Sequence, residues 1–170
     1  LPIDEKIIFA PDKYLGSYLQ KKLNRPLRLW EGSCQVHIMF SEQELIKLSV
    51  RHPEADLLAH PECDENILKH ANHIGSTTSI INFAKSSKKN KFIIATEPGV
   101  IHQMKKQSPN KEFIPLPNNE GCACNECPYM RLNTIEKIYN ALTTLKPEII
   151  MPEDLRLQAL KPLQRMMELS

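Results

Sequence analysis

Short apolar runs that end in polar, proline or glycine residues recur along this chain, and most are followed by a stretch with helical spacing. Residues 6–10 (Lys-Ile-Ile-Phe-Ala) predict a buried strand, Pro11-Asp12-Lys13 its turn, and residues 14–23 a helix. Residues 27–30 predict a second strand that ends at Gly32-Ser33-Cys34, with a helix over 42–51. A third strand over 55–59 runs into His60-Pro61-Glu62-Cys63 ahead of a helix over 65–71. A brief strand at His73-Ile74 ends at Gly75-Ser76-Thr77, and residues 79–86 continue as a helix. Strand then helix, repeated, predicts an α/β protein with parallel sheets. In such sheets function gathers in the loops at the carboxyl ends of the strands, and each of these polar motifs falls there.

The second half of the chain echoes the first. Lys91-Phe-Ile-Ile-Ala-Thr-Glu-Pro-Gly99 aligns with Lys6-Ile-Ile-Phe-Ala-Pro-Asp-Lys-Tyr14, so that Ile93 answers to Ile7. Phe113-Ile-Pro-Leu116 resembles Leu27-Arg-Leu-Trp30; both lead to a cysteine-bearing loop before a helix, which pairs Cys127 with Cys34. Glu148-Ile-Ile-Met-Pro-Glu153 echoes Leu57-Leu-Ala-His-Pro-Glu62 and pairs Pro152 with Pro61. Three landmarks in the same order predict two homologous α/β repeat units, residues 1–88 and 89–170, each on the order of 85 residues.

Composition narrows the partners more than the chemistry. With 22 basic and 20 acidic residues the net charge is +2, too small to argue for nucleic acid. Lys88-Lys-Asn-Lys91 and Lys105-Lys106 read as solvated faces rather than a binding stripe. Hydrophobic content is an ordinary 41%, and no apolar run approaches the roughly 20 residues that span a bilayer, which predicts a soluble protein with no membrane partner. The opening Leu1-Pro2-Ile3-Asp4 carries neither Met nor a targeting pattern, which suggests further sequence upstream.

Three of the five cysteines, Cys122, Cys124 and Cys127, fall in the run Gly121-Cys-Ala-Cys-Asn-Glu-Cys-Pro-Tyr-Met130. Clustered thiolates are soft ligands for zinc or an iron–sulfur cluster, and a Cys-x-x-Cys pair can also cycle through a disulfide. Spacing alone leaves these open. A second zinc-type ligand pair is not evident, and an odd cysteine count argues against a structural disulfide network. The repeat adds a geometry: two related units would bring Cys34 and Cys127 to equivalent places, so that a cluster could lie between them with one thiolate from each. An iron left free of protein ligands would be an open Lewis acid, which points to dehydration chemistry rather than electron transfer.

The remaining polar motifs suit such a site. His60 and Glu62, two positions apart after a strand, supply an imidazole and a carboxylate for proton transfer or substrate contact. Gly75-Ser76-Thr77 at a helix start offers amides and hydroxyls to a carboxylate or phosphate, or is simply a helix cap. His37, three residues after Cys34, is either a donor behind a metal ligand or a cap on its turn. His52, His70, His73 and His102 have no partner pattern and read as surface or packing residues, and Cys63 as a small buried apolar residue.

Together Phe9-Ala-Pro-Asp-Lys13 with Leu15-Gly16, Trp30-Glu-Gly-Ser-Cys-Gln-Val-His37, His60-Pro-Glu-Cys63, Ile74-Gly-Ser-Thr77, Ala95-Thr-Glu97 and Cys122-Ala-Cys-Asn-Glu-Cys-Pro-Tyr-Met130 closely resemble quinolinate synthase, over residues 6–167. The resemblance implies a cytoplasmic transferase of NAD (pyridine nucleotide) biosynthesis. Such an enzyme condenses iminoaspartate with dihydroxyacetone phosphate on a 4Fe-4S cluster with one open iron. It implies three related α/β domains around a pseudo-threefold axis, each giving one cysteine to the cluster, and a functional link to the L-aspartate oxidase or aspartate dehydrogenase that makes iminoaspartate. By motif, Cys34 and Cys127 would be cluster ligands, and His60, Pro61, Glu62, Ser76 and Thr77 would line the iminoaspartate site, with Glu62 and His60 catalytic. Cys122, Cys124 and His37 would be accessory or redox residues. The family's first domain is missing here, with its third cysteine, a histidine, a serine and a Tyr-x-Asn loop, so the chain resembles the carboxy-terminal two of three domains and is expected to be inactive alone. The alternative is a stand-alone cysteine-rich metal-binding or redox module using Cys122, Cys124 and Cys127, in which Cys34 would be idle.

Overall fold

The computed structural model describes residues 2–120 and 125–169. The chain is α/β, and every ladder between its described strands is parallel, as the strand-helix alternation predicts. Strand β1 (Ile8–Phe9), helix α1 (Lys13–Leu23) and strand β2 (Arg28–Leu29) form a βαβ unit, with Ile8 opposite Arg28 and Phe9 opposite Leu29. Asp12 starts α1 by accepting the Leu15 N–H, and Asn24 ends it in the left-handed conformation at φ 47°. Gly16 lets α1 lie directly on β2: a Cβ there would collide with Leu29 Cδ2.

A short helix α2 (Gln35–Ile38) and helix α3 (Glu42–Arg51) follow. Ser41 caps α3 by accepting the Glu44 N–H, the S-x-x-E start of a capping box, and Leu45 and Leu48 face inward one turn apart. Strand β3 (Asp56–Ala59), helix α4 (Glu65–Leu68), strand β4 (His73–Ile74), helix α5 (Thr77–Ser86), strand β5 (Lys91–Ala95), helix α6 (Val100–Gln107) and strand β6 (Glu112–Pro115) build a four-stranded sheet in the order β4-β3-β5-β6. Side chains alternate across it. Leu57, Ala59, Ile93 and Ala95 join a core with Val36, Leu45 and Ile67, whereas Leu58, Phe92 and Ile94 join a second with Ile80, Ile101 and Met104. Helices thus cover both faces, which is why β3 and β5 read as continuous apolar runs.

The division drawn at residue 88 passes between α5 and β5, inside this sheet. The paired stretches 6–30 and 91–116 are each occupied by a βαβ unit, β1-α1-β2 and β5-α6-β6. The third landmark differs: residues 148–152 carry no strand, because Pro147 and Pro152 bracket them without backbone donors, and Pro152 stands at the start of helix α8.

By compactness residues 1–128 form one unit and 129–170 another. The second contains a 3₁₀ turn (Met130–Leu132), helix α7 (Ile135–Thr144) and helix α8 (Glu153–Glu168). Ile135, Ile138, Tyr139 and Leu142 repeat at helical spacing along α7 and are all exposed. Among the described residues no helix is long and apolar enough to cross a membrane.

Candidate functional site

The carboxyl ends of β3, β4 and β5 lie level. His60 N–H donates to Ala95 O at 3.1 Å, Gly75 N–H to Ala59 O at 3.1 Å, and Leu116 N–H to Ile94 O at 2.9 Å, so the loops after these strands emerge side by side. His60-Pro61-Glu62 is the loop after β3. It turns tightly, with Cys63 N–H donating to His60 O at 3.0 Å and Glu62 N–H to His60 Nδ1 at 3.3 Å. Pro61 and Cys63 are buried beneath it, and the Cys63 thiol donates to Ala95 O at 3.3 Å. Burial pushes that thiol far up, so Cys63 is an inert core residue as its isolation in sequence predicts.

His37 enters this loop from α2. Its Nδ1 lies 3.0 Å from Glu62 Oε2 and its Nε2 3.0 Å from Thr96 Oγ1, so both ring nitrogens are engaged and the ring caps no turn. It stacks on His60 with centroids 4.5 Å apart at 12°. Burial, and next the neighbouring His60, push His37 down to about 4, against an opposing pull from Asp12. Burial also lowers His60. Glu62 moves the other way, raised first by burial and then by the negative charge of Asp12, with a hydrogen bond to Cys34 opposing. The site therefore presents two neutral imidazoles and a carboxyl group with increased proton affinity. An ionised Glu62 only accepts, so in that state Nδ1–H of His37 donates to it and the Thr96 hydroxyl donates to Nε2.

Cys34 stands at the N-cap of α2. Its N–H donates to Asp12 Oδ2 at 2.8 Å while Leu15 N–H donates to Asp12 Oδ1 at 2.8 Å, so one buried carboxylate holds both the start of α1 and the Cys34 peptide. A Cys34 sulfur, a His37 ring nitrogen and a Glu62 oxygen all lie within 4.8 Å of one another, a thiol, an imidazole and a carboxylate able to hold a metal ion. Cys127 is free and half-buried like Cys34, and both pack against the same core cluster. Its segment is tied to α2 by Asn125, buried, whose Nδ2 donates to Val36 O at 2.7 Å. Two unpaired, partly shielded thiols are soft donors of the kind an iron–sulfur cluster requires. Cys122 and Cys124 lie outside the described residues.

Ser76 caps α5, its Oγ accepting the Ser79 N–H at 3.3 Å, and both Ser76 and Thr77 are exposed. The hydrogen bond from Gly75 to Ala59 brings this helix start beside the His60 loop. His73, without a partner pattern in the sequence, donates to or accepts from Ser79 Oγ through Nε2 at 2.9 Å and stacks on Phe83. A cavity of about 560 Å³ between α1 and α4 is lined by Tyr14, Tyr18, Leu68 and Cys63 among others, but not by His37, His60 or Glu62.

Sequence reasoning passed over Asp12, Thr96 and Asn125 as site residues. Asp12 was legible as a helix cap, and Thr96 as the first polar residue after β5; their long-range partners were not.

The profile of the family described as Quinolinate synthetase A protein (NadA) matches residues 1–168. Proteins named quinolinate synthase are 55% identical over 170 residues in Trichodesmium erythraeum, 57% over 171 in Chloroherpeton thalassium and 55% over 170 in Synechocystis sp.. All of this chain is covered in each case, but only 53%, 53% and 54% of those relatives, so it spans about half their length. With a thiol, two imidazoles and a carboxylate converging at the sheet's carboxyl edge, and a match over nearly every residue, this chain belongs to the quinolinate synthetase A family.

Proposed function

We propose that this chain is the part of a quinolinate synthase that supplies two thiolates, Cys34 and Cys127, to a 4Fe-4S cluster, and His60, Pro61, Glu62, Ser76 and Thr77 to the iminoaspartate site. The complete protein would condense iminoaspartate with dihydroxyacetone phosphate to quinolinate in the cytoplasm. An L-aspartate oxidase or aspartate dehydrogenase would deliver the iminoaspartate. The remaining half would supply the missing first domain of a pseudo-threefold, three-domain arrangement. The observation that carries the reading is the buried His37, hydrogen-bonded to Glu62 at 3.0 Å and stacked on His60, beside the free thiol of Cys34.

When bound, the cluster would supply a Lewis-acidic iron able to grip a carboxylate or hydroxyl. The chain's own side chains do the rest. Glu62, with its proton affinity raised by burial and Asp12, takes a proton from a substrate carbon or nitrogen and returns it to a departing hydroxyl. His37, neutral and pinned by Thr96, fixes the Glu62 carboxylate and donates to it while the negative charge is present. His60 keeps only Nε2 for substrate, since Nδ1 accepts the Glu62 N–H. The exposed residues Ser76 and Thr77 that open α5 suit an anionic substrate group. A stand-alone cysteine-rich module is not favoured, because the family match runs over residues 1–168 rather than the cysteine segment alone.

The test is made in the complete protein. Cys34→Ala or Cys127→Ala is expected to abolish the cluster's visible absorbance, and Cys63→Ala to leave it nearly intact. Glu62→Gln is expected to lower quinolinate formation about 100-fold or more at unchanged cluster content. Full iron and sulfide in Cys34→Ala, or near-normal turnover in Glu62→Gln, would overturn the assignments.

A further inference from the structure

Cys34 and His37, at the start and within helix α2, and Glu62, in the loop after β3 and 25 residues beyond His37, meet with sulfur, ring nitrogen and carboxylate oxygen all within 4.8 Å of one another. We propose that in the cluster-free protein these three side chains form a mononuclear site for a borderline-soft divalent cation, Zn²⁺ above all, with the fourth position open.

The dimensions fit. Tetrahedral zinc with Zn–S about 2.3 Å and Zn–N and Zn–O about 2.0–2.2 Å has ligand-to-ligand edges of roughly 3.3–3.6 Å. The His37 Nδ1 to Glu62 Oε2 separation is already 3.0 Å, so an ion seated to one side of that line needs only a small opening of the pair. The Cys34 sulfur needs a shift of at most roughly 1.5 Å to bring the 4.8 Å bound down to such an edge. Its peptide stays fixed by Asp12, so the movement is a side-chain rotation.

The hydrogen-bond chemistry fits as well. To bind through Nδ1, His37 must carry its proton on Nε2, and the group facing Nε2 is the Thr96 hydroxyl at 3.0 Å, which can accept as readily as it donates. Zinc-bound histidines are held in their tautomer by such a partner on the second nitrogen. Binding therefore replaces the Nδ1–H bond to Glu62 with two coordinate bonds, turns the Thr96 hydroxyl over, and releases the Cys34 thiol proton to solvent. His60 does not become the fourth ligand through Nδ1, which accepts the Glu62 N–H at 3.3 Å, and so water or a substrate oxygen takes that place.

The site itself stands on this geometry. Its consequence rests on the iron–sulfur reading above: Cys34 would serve both occupants, so zinc and cluster exclude each other. Divalent zinc outcompetes iron(II) at a site of this donor type, and zinc would therefore hold the protein in a cluster-free form until it is removed.

Zinc binding to the cluster-free complete protein, measured by competition with a chromogenic chelator, is expected to give one tight equivalent per chain. Its X-ray absorption should show a first shell of one sulfur with nitrogen and oxygen. Both Glu62→Gln, which keeps shape, and His37→Gln should weaken it at least tenfold, Thr96→Val by a smaller factor, and Cys127→Ala not at all. Zinc-loaded protein should reconstitute its cluster at least tenfold more slowly than zinc-free protein. A sulfur-rich first shell, zinc lost in Cys127→Ala, or zinc undiminished in both Glu62→Gln and His37→Gln would assign the ion to the cysteine segment or the surface and overturn the site. Full cluster formation in Cys34→Ala would instead refute the iron–sulfur reading and leave the zinc site standing.

Discussion

Replacing Asp12 by serine separates the two tasks of one carboxylate. Asp12 is 3% exposed and accepts from Leu15 N–H and Cys34 N–H, each at 2.8 Å. Serine caps a helix about as well as aspartate, so α1 keeps its start, but it has no second oxygen to reach the Cys34 peptide. A half-buried donor stripped of its partner costs about 1–2 kcal/mol, and Asp12→Ser is expected to destabilise the protein by that amount. Asp12→Ala also loses the cap, for a further ~1 kcal/mol, so it is expected to cost about 2–3 kcal/mol in all. Urea unfolding of the cluster-free complete protein reads both values, with an unchanged denaturant slope as the check that the unfolded state is the same. A second readout separates electrostatics from packing. Burial and the Asp12 charge both hold Glu62 up, so either variant should move its titration to lower pH. If Asp12→Ser lies within about 0.5 kcal/mol of the parent and Glu62 does not move, the hydrogen bond to Cys34 carries nothing and the reasoning is refuted.

Two further perturbations follow from the same geometry. His37 is neutral in the fold, held down to about 4 against 6.5 when unfolded, so the unfolded chain gains the proton first as pH falls; stability is full above 6.5 and is lost between 6.5 and 4, by up to ~3 kcal/mol. Urea midpoints across that window should fall less steeply in His37→Gln, and an identical slope would show that His37 is protonated in the fold. Gly75→Ala would set a Cβ 2.7 Å from Ser79 Cβ, a contact no side-chain rotation relieves, and is expected to cost about 1–3 kcal/mol in a thermal melt; a loss below about 0.5 kcal/mol would mean that α5 shifts freely.

Local pattern alone determined much of this protein. The helix over 42–51 and the strand at His73-Ile74 have the bounds that the spacing predicts, and the strands near 6–10, 27–30, 55–59 and 113–116 are present in shortened or shifted form. These elements are written in periodicity, caps and breakers, all of which act over a few residues. The loops at the carboxyl ends of strands were legible for the same reason, and with them His60 and Glu62. Strand order was not: β3 lies between β4 and β5, and an apolar run shows that a strand is buried without showing beside which neighbour. The makeup of the site was decided at the same level. His37 meets Glu62 across 25 residues and Thr96 across 59, and Asp12 meets Cys34 across 22. A side-chain hydrogen bond over such distances leaves no periodic trace, because it depends on how α2, β3 and β5 pack rather than on the residues flanking either partner. Tertiary structure therefore turned a histidine with two open readings into the buried contact of Glu62, and a turn aspartate into the anchor of Cys34.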